Sequence, residues 1–281
     1  MILVYYTGCV LGVLILALLI CGIVTQYFPV IEHYEVVSDR LVSDQRVVLL
    51  TDLHGCKHGE NNQKLIKMIK ESEPDHICIA GDMTIKRKPI PKDVVELMRI
   101  LCTFCHVYYA PGNHEIELPE YDAYKYELRK LGVHYLENDH IPIDGNIMIY
   151  GLDLSDYWYH KIWEKREFTE EQLDFLLGEC QAGYFSLLLA HNPEYAKQYA
   201  AWGADLALSG HIHGGIMRLP YLGGVISPSL RLFPKYDAGK FSVNGKMMII
   251  SRGLGLHHIK LRFFNRPEIS VINLTCQKPE K

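Results

Sequence analysis

The sequence predicts an α/β domain preceded by a single N-terminal transmembrane helix. Short apolar runs of strand length alternate with segments whose apolar residues recur at helical spacing, as in a succession of β-α-β units. Residues 2–24 are almost entirely apolar, contain no charged residue and are long enough to cross a bilayer. The formal net charge of −4 argues against a dedicated nucleic-acid-binding protein, for which a basic face is expected.

The apolar N-terminus is interpreted as an uncleaved membrane anchor at residues 1–26. A cleavable signal peptide would have a basic beginning and a small-residue cleavage site, and residues 17–22 show neither. The alternative is a lipoprotein signal at Cys21, but the bulky Ile20 precedes this cysteine where a small residue is expected. With an uncleaved anchor, four aromatic residues would lie near the two membrane interfaces, namely Tyr5, Tyr6, Tyr27 and Phe28.

Charge does not set the side of the membrane, because the first basic residue after the apolar segment is Arg40. The eight cysteines form no disulfide-scaffold pattern, which favours free thiols in a reducing compartment and thus a cytoplasmic domain. Residues 27–45 are interpreted as a polar connector that carries a short edge strand at 34–37. The main folded domain is predicted at 46–275, close to the bilayer surface of a single-pass membrane protein.

Polar residues of metal-binding type follow five apolar strands at their C-terminal ends. The strands are predicted at 47–51, 77–80, 107–110, 186–190 and 206–209. In α/β sheets ligands bind at the carboxyl ends of strands, so we expect these residues to gather. They are Asp52, His54, Asp82, Asn113, His114, His191, His211 and His213.

These residue types point to a catalytic metal site. A single Asp or His after a strand is ordinarily a helix cap or a loop residue, but five such sites together indicate shared ligation. Carboxylate, amide and imidazole ligands suit Mn, Fe or Zn. No cysteine belongs to this pattern of residues, which argues against a closed structural zinc site.

The order of these residues carries a family resemblance. The chain reads D-x-H at 52–54, G-D at 81–82, G-N-H-E at 112–115, a lone histidine at 191 and G-H-x-H at 210–213. This set resembles the calcineurin-like metallophosphoesterases over residues 46–273. Segments 210–220 and 251–255 are similar to the membrane-linked branch that includes YkuE-like, YaeI-like and LpxG-like proteins. The resemblance implies an αββα sandwich of two sheets flanked by helices.

The resemblance also implies a role for each site residue. Two divalent cations are expected, with Mn the first choice and Fe or Zn as alternatives, and Asp82 would bridge them. One cation would be held by Asp52, His54, Asp82 and His213, and the other by Asp82, Asn113, His191 and His211. His114 is expected to protonate the leaving oxygen or to stabilise phosphoryl charge, unless it only supports a ligand.

Some features leave alternatives open. Arg218 and Arg252 could contact a substrate phosphate, although ion pairing explains them equally well. Many relatives have an aspartate where this chain has Ile85, so the group that orients His114 is unidentified, and a common glutamine is replaced by Ile216. The aromatic segment 157–163, with Trp158 and Trp163, is either core packing or an apolar flap that meets acyl chains.

The expected function is that of a membrane-anchored, dinuclear metal-dependent phosphoesterase. It would cleave a phosphodiester or pyrophosphate bond, with a lipid-linked substrate such as UDP-2,3-diacylglucosamine or a phospholipid suggested by the anchor and the resemblance. A nucleotide or cyclic-nucleotide phosphodiesterase or a nuclease would use the same metals. A non-catalytic scaffold of this fold would be expected to have lost ligands. The expected partners are the bilayer and the phosphorylated substrate, without nucleic acid, and the oligomeric state is open.

Overall fold

Two six-stranded sheets organise the chain in the computed structural model, which describes residues 2–159, 166–215, 217–219, 221–227, 231–256 and 262–277. The helices are α1 (Ile2–Thr25), α2 (Gln63–Glu71), α3 (Lys92–Leu101), α4 (Tyr121–Lys130), α5 (Glu170–Leu177) and α6 (Ala196–Trp202). The strands are β1 (Val30–Ser38), β2 (Gln45–Leu50), β3 (His76–Ala80), β4 (His106–Ala110), β5 (His134–Tyr135), β6 (Asp139–Ile143), β7 (Ile147–Leu152), β8 (Phe185–Ala190), β9 (Leu206–Ser209), β10 (Arg218–Leu219), β11 (Gly223–Gly224), β12 (Gly239–Val243), β13 (Lys246–Ile250) and β14 (Glu268–Cys276).

The two sheets pack face to face and helices cover their outer faces. The first sheet has the order β1-β14-β2-β3-β4-β5 and the second β12-β13-β9-β8-β7-β6. Buried apolar side chains such as Leu49 and Leu187 meet between the sheets, because strand residues alternate between the two faces. The opposite face of the first sheet packs against α2, α3 and α4, and that of the second against α5 and α6. The predicted αββα sandwich is confirmed.

Parallel pairing determines where the site forms. In the first sheet β2, β3 and β4 run parallel, and in the second β7, β8, β9 and β13 do so. Their carboxyl ends therefore lie along one edge of each sheet, and all five predicted ligand-bearing strands are present.

A capping box begins α5, where the Thr169 hydroxyl accepts from the Gln172 amide and the Gln172 side chain accepts from the Thr169 amide.

The predicted connector at 27–45 contains a longer strand than its sequence indicates. β1 lies at the edge of the first sheet and pairs in parallel with β14, from Val30 opposite Glu268 to Ser38 opposite Cys276. Half of this segment is thus part of the sandwich. The division into 1–26, 27–45 and 46–275 stays a prediction.

The N-terminal helix α1 is apolar and solvent-exposed along most of its length. Residues Tyr5–Thr25 are long and apolar enough to cross a membrane. Its C-terminal end contacts the sandwich, because the Arg262 amide donates to the Gly22 carbonyl at 3.0 Å. A Cβ added at Gly22 would lie 2.7 Å from the Phe263 ring, so glycine permits this close approach.

Candidate metal centre

The loops after five strands bring the predicted ligands into one buried cluster. Within each of three groups the potential ligand atoms lie within 4.8 Å of one another. The groups are Asp52, His54 and His213, then Asp82, His191 and His211, and finally His54, Asp82 and His114. The first group belongs to one of the ligand sets implied by the family resemblance and the second group to the other. All members are buried except the half-buried His211.

Asp82 lies at the centre of the cluster. Its Oδ2 atom is 3.1 Å from His191 Nε2, 3.9 Å from His114 Nε2 and 4.0 Å from His54 Nε2. Its other oxygen, Oδ1, accepts a hydrogen bond of 2.8 Å from the His114 amide, which holds the carboxylate in place. One oxygen is thus oriented by the protein while the other faces imidazoles from both sheets.

Hydrogen bonds at Nδ1 distinguish the histidines by tautomer. Carbonyl oxygens of Thr84 and Ala80 lie 3.1 and 2.6 Å from Nδ1 of His54 and His191, so these nitrogens donate. The Nε2 lone pair of each neutral ring is then available to a metal. His114 differs, because its Nδ1 accepts from the Lys86 amide at 3.2 Å. In its neutral form His114 therefore carries its proton on Nε2, which is then a hydrogen-bond donor.

The Lys86 amide also resolves the question raised by Ile85. The sequence contains no aspartate at that position to orient His114, and the structure shows a main-chain N–H in this role. The main-chain donor leaves the ring's Nε2 directed towards Asp82.

Asp52 forms a second fixed carboxylate. Its Oδ2 accepts from the Thr51 hydroxyl at 2.9 Å and from the His211 amide at 3.0 Å. Its Oδ1 lies 3.6 Å from His213 Nε2 and 3.8 Å from His54 Nε2. The carboxylate therefore offers one oxygen to the cluster while the other joins the loops after β2 and β9.

Several ligand positions have an unfavourable backbone conformation. Asp52, His54, Asp82, His211 and His213 all have positive φ, from 47° to 69°, a region that non-glycine residues seldom adopt. Such strain persists where surrounding structure over-determines it, and it concentrates at functional sites. Here close-packed loops impose it: a Cβ added at Gly112 would lie 2.3 Å from Asp82 Oδ1.

Glu115 organises two of these loops, a role that the sequence reasoning missed. Its fully buried carboxylate accepts from the amides of Asp82, Gly112 and Thr84 at 2.7, 2.9 and 3.0 Å. The Thr84 hydroxyl donates to it as well. The available signal was its position as the last residue of G-N-H-E. Glu115 thus joins the loops after β3 and β4 and sets the position of Asp82.

Charge within the cluster follows from burial and proximity. Burial raises the pKa of Asp52 to about 7. Burial would also raise the pKa of Asp82, but the charges of His191 and His114 outweigh it and hold that pKa well below its usual range. Burial would lower the pKa of His191, yet the charges of Asp82 and Asp52 raise it to about 10.

The donors present fit a divalent metal. Asn113 is 7% exposed, and its Oδ1 accepts no hydrogen bond from the described residues. A buried acceptor of this kind is costly unless it has a partner, and a cation would supply one. Together with carboxylate oxygens and imidazole nitrogens, it forms a donor set suited to Mn, Fe or Zn.

The remaining predicted residues lie in other environments. Arg218 pairs with Asp237 at 3.0 Å and Arg252 with Glu268 at 2.7 Å, which is the ion-pair alternative that the sequence left open. Their contact with a substrate stays a prediction. Ile216 and Trp163 lie outside the described residues.

The aromatic segment divides between core and site. Trp158 packs against Phe168 and Tyr195 at ring distances of 5.0 and 6.2 Å, and its carbonyl accepts from the Tyr195 hydroxyl. Its contacts are those of core packing. Tyr159 instead stacks edge-on against His211 at 5.1 Å. No signal in the sequence singled out Tyr159 as the member of this segment that contacts a ligand.

A two-sheet sandwich with clustered carboxylates and imidazoles at its strand ends is the arrangement of metallophosphoesterases. Comparison with known proteins agrees, since residues 45–215 match the calcineurin-like phosphoesterase family, and the chain belongs to it. It is 38% identical over 235 residues to the uncharacterised metallophosphoesterase YkuE of Bacillus subtilis, covering 82% of this chain and 78% of YkuE. Family membership implies a metal-dependent phosphoester hydrolase.

Other relatives extend the similarity. An uncharacterised metallophosphoesterase of Aquifex aeolicus is 27% identical over 88% of this chain and 92% of its own length. A transmembrane protein with a metallophosphoesterase domain from Danio rerio is 26% identical, and the chain spans 62% of that protein. The solved structure of TT1561 from Thermus thermophilus aligns with a TM-score of 0.50 and 14% identity, covering 75% of this chain and 91% of that one. The last comparison supports the fold alone.

Proposed function

We propose that this chain is a membrane-anchored, two-metal phosphoesterase that hydrolyses a phosphodiester or pyrophosphate bond in a lipid-linked substrate. The observation that carries the proposal is the position of Asp82, whose Oδ2 faces imidazoles from both ligand groups. A shared carboxylate between two groups of nitrogen and oxygen donors is what a pair of adjacent cations needs.

The two cations would be held by the ligand sets that the family resemblance implies. Asp52, His54, Asp82 and His213 would bind one, and Asp82, Asn113, His191 and His211 the other. When bound, the pair supplies Lewis-acid stabilisation of phosphoryl charge and lowers the pKa of water. The carbonyls that accept from Nδ1 of His54 and His191 fix these ligand rings in place.

His114 would act on the leaving group. The Lys86 amide orients the ring and leaves the proton on Nε2, beside Asp82. The His114 Nε2–H can therefore donate to the oxygen that departs from phosphorus and neutralise its developing charge. Tyr159, against His211, borders the same space and would help to exclude water from it.

The choice of a lipid-linked substrate rests on α1. A largely apolar helix of 24 residues would keep the domain at a bilayer, which would raise the local concentration of phosphates carried by lipids. UDP-2,3-diacylglucosamine or a phospholipid is the substrate type that the family resemblance suggests. Nucleotide diesters are the alternative, because the same metal chemistry would act on them.

The test is turnover of bis-p-nitrophenyl phosphate by the full-length chain in detergent, after chelation and separate re-addition of Mn, Zn, Fe or Mg. We expect at least one metal to restore turnover and Asp82→Asn to abolish it. Asp122→Asn is the matched control, because this exposed aspartate lies on α4. Absence of turnover with every metal, despite bound metal and intact folding, would contradict the proposal. Restored turnover would justify comparing lipid-linked and nucleotide diesters.

A further inference from the structure

Five large apolar side chains are exposed on three loops beside the metal-site segments. They are Tyr221 and Leu222 at the tip of the β10–β11 hairpin, Leu232 and Phe233 in the following loop, and Phe264 in segment 262–266. Their exposed fractions are 107%, 65%, 66%, 56% and 68%, so the domain gains little from packing them. Tyr221, Phe233 and Phe264 also have positive φ, which adds a backbone cost for bulky residues. We call these five residues the docking surface.

Backbone contacts join the three loops into one surface. The Arg218 amide donates to the Phe263 carbonyl at 3.1 Å, which places the hairpin beside segment 262–266. The Phe233 amide donates to the Val225 carbonyl at 2.9 Å, just after β11. Tyr221, Leu222 and Phe264 line the same cleft. An exposed apolar patch of this kind marks an interaction site.

The docking surface lies where α1 leaves the domain. Gly22 contacts the Phe263 ring, and the Arg262 amide bonds to the Gly22 carbonyl. The edge strands β12 and β1 of the two sheets are also neighbours, because the Lys240 side chain of β12 donates to the Glu35 carbonyl of β1 at 2.6 Å. The surface and the apolar helix are therefore continuous on one side of the sandwich.

Aromatic and basic residues surround the exit of the helix. Tyr27 and Phe28 are exposed directly after α1. Lys64 Nζ lies 4.6 Å from the centre of the Phe28 ring, and Arg266 Nε donates to the Phe28 carbonyl at 2.9 Å. Aromatic rings favour the membrane–water interface, and cations beside them attract anionic headgroups.

We propose that the docking surface inserts into the headgroup and acyl-chain boundary of a bilayer that contains anionic lipid. The proposal rests on the membrane anchoring of the proposed function and adds a second, peripheral contact to it. A surface helix or loop of this type buries its apolar side chains about 5–10 Å into that boundary. The side chains that the protein leaves in water are then covered by lipid.

Such docking would hold the metal centre against the lipid headgroups. Next to Phe264, the Asn265 side-chain amide donates to the His213 carbonyl at 2.8 Å and also to that of Gly215. The fully buried Arg262 donates to the carbonyls of Gly253 and Gly255. Segment 262–266 thus links the docking surface to a ligand-bearing loop and to the loop that packs against Asp52, so a phosphate in the headgroup layer would lie at the height of the site.

The test measures how deeply a tryptophan at position 264 enters the bilayer. Full-length Phe264→Trp is reconstituted into vesicles of phosphatidylcholine and phosphatidylglycerol with brominated acyl chains, which quench nearby tryptophan fluorescence. The wild-type signal is subtracted. Phe175→Trp is the matched control, because Phe175 is 88% exposed on α5, which packs near β7 rather than the β12 edge. Leu16→Trp in α1 reports the anchor.

We expect the brominated chains to quench the fluorescence added by Phe264→Trp, because the side chain would lie at the acyl boundary, and to leave that of Phe175→Trp unchanged. Adding Tyr221→Ser and Leu222→Ser to Phe264→Trp should reduce the quenching. Quenching of Leu16→Trp without quenching of Phe264→Trp would overturn the docking surface and leave the anchor intact, and the surface would then fit a soluble partner or a second copy. Lack of quenching at both positions would overturn the docking surface and the proposed anchoring together. Equal quenching of Phe175→Trp would overturn the specific surface.

Discussion

At the scale of single residues, hydrogen bonds at Nδ1 separate two candidate ligands, His54 and His191, from His114. His54 and His191 donate to carbonyls from Nδ1, whereas His114 accepts an amide proton there. A carbonyl acceptor frees the Nε2 lone pair for a metal, and an amide donor places the proton on Nε2. The five histidines of the candidate site have identical side-chain chemistry in the sequence, so this distinction depends on their partners.

His114→Asn should slow turnover and spare metal binding. Removing a positioned proton donor costs about 10²–10⁴-fold in rate. Because His114 lies beside the cluster without a free Nε2 lone pair, the metal content per chain should match that of the wild type. Turnover and elemental analysis of the same preparation check both points. Parallel loss of metal would move His114 into the ligand set.

Asp153, which is not a candidate metal ligand, is expected to make the stability of the fold depend on pH. Burial, followed by the charge of Glu137, raises its pKa to about 6 in the folded protein, against 3.8 as the ordinary value. The folded state therefore binds the proton more tightly. Stability from this group falls as the pH rises from about 4 to about 6, and it stays lower above that window.

Asp153→Asn should consequently increase the free energy of unfolding at pH 8 by about 1–3 kcal/mol, with little gain near pH 4. Urea unfolding of wild type and variant across this range measures the difference. Asp156→Asn is the control, since that neighbouring side chain is exposed. A gain independent of pH would rule out charge burial as its cause.

At the scale of elements, the loops at the strand ends, rather than the strands themselves, position the candidate ligands. The loop after β13 illustrates this, because Gly253 has φ of 70° and a Cβ added there would lie 2.6 Å from Asp52 Cβ. The glycine thus allows the loop to pack directly against a predicted ligand. Glycine is required at this position because there is no room for a Cβ and because φ is positive.

Gly253→Ala should weaken metal binding, because the new methyl group would displace Asp52. Gly239→Ala is a matched control: Gly239 also has positive φ, 108°, but nothing lies within 4 Å of its added Cβ. Both variants should lose about 1 kcal/mol of stability from backbone strain. Only Gly253→Ala should show a lower metal affinity, measured by calorimetric titration. Equal affinities would show that the loop does not position Asp52.

At the scale of the whole molecule, the metal centre joins the two sheets. Asp52, Asp82 and Asn113 follow strands of the first sheet, whereas His191 and His211 follow strands of the second. A ligand that binds only the folded state stabilises it by an amount that grows with the logarithm of the ligand concentration relative to its Kd. Cations bound between ligands of both sheets would therefore stabilise the packing of one sheet against the other.

Chelation should lower the thermal midpoint, and re-addition of a usable metal at 100 times its Kd should restore about 2.7 kcal/mol. For a chain of this size that corresponds to roughly 5–10 °C. Thermal unfolding followed by circular dichroism measures the shift. The Asp82→Asn variant should show little response. A midpoint unaffected by chelator and by all four metals would contradict metal binding at the cluster.

The sequence by itself determined the α/β class, the five ligand-bearing strands and the polar residues at their ends, and its motif order supplied the family resemblance that implies the αββα sandwich. Apolar runs, turn residues and motif order are local signals, and the strands that they predict are present in the folded chain. Tertiary structure alone decided which distant groups meet. β1 pairs with β14 across the whole chain, the Lys86 amide orients His114, and Arg266 lies beside Phe28 at the exit of α1. These contacts depend on how complete sheets pack, so no local pattern of residues encodes them.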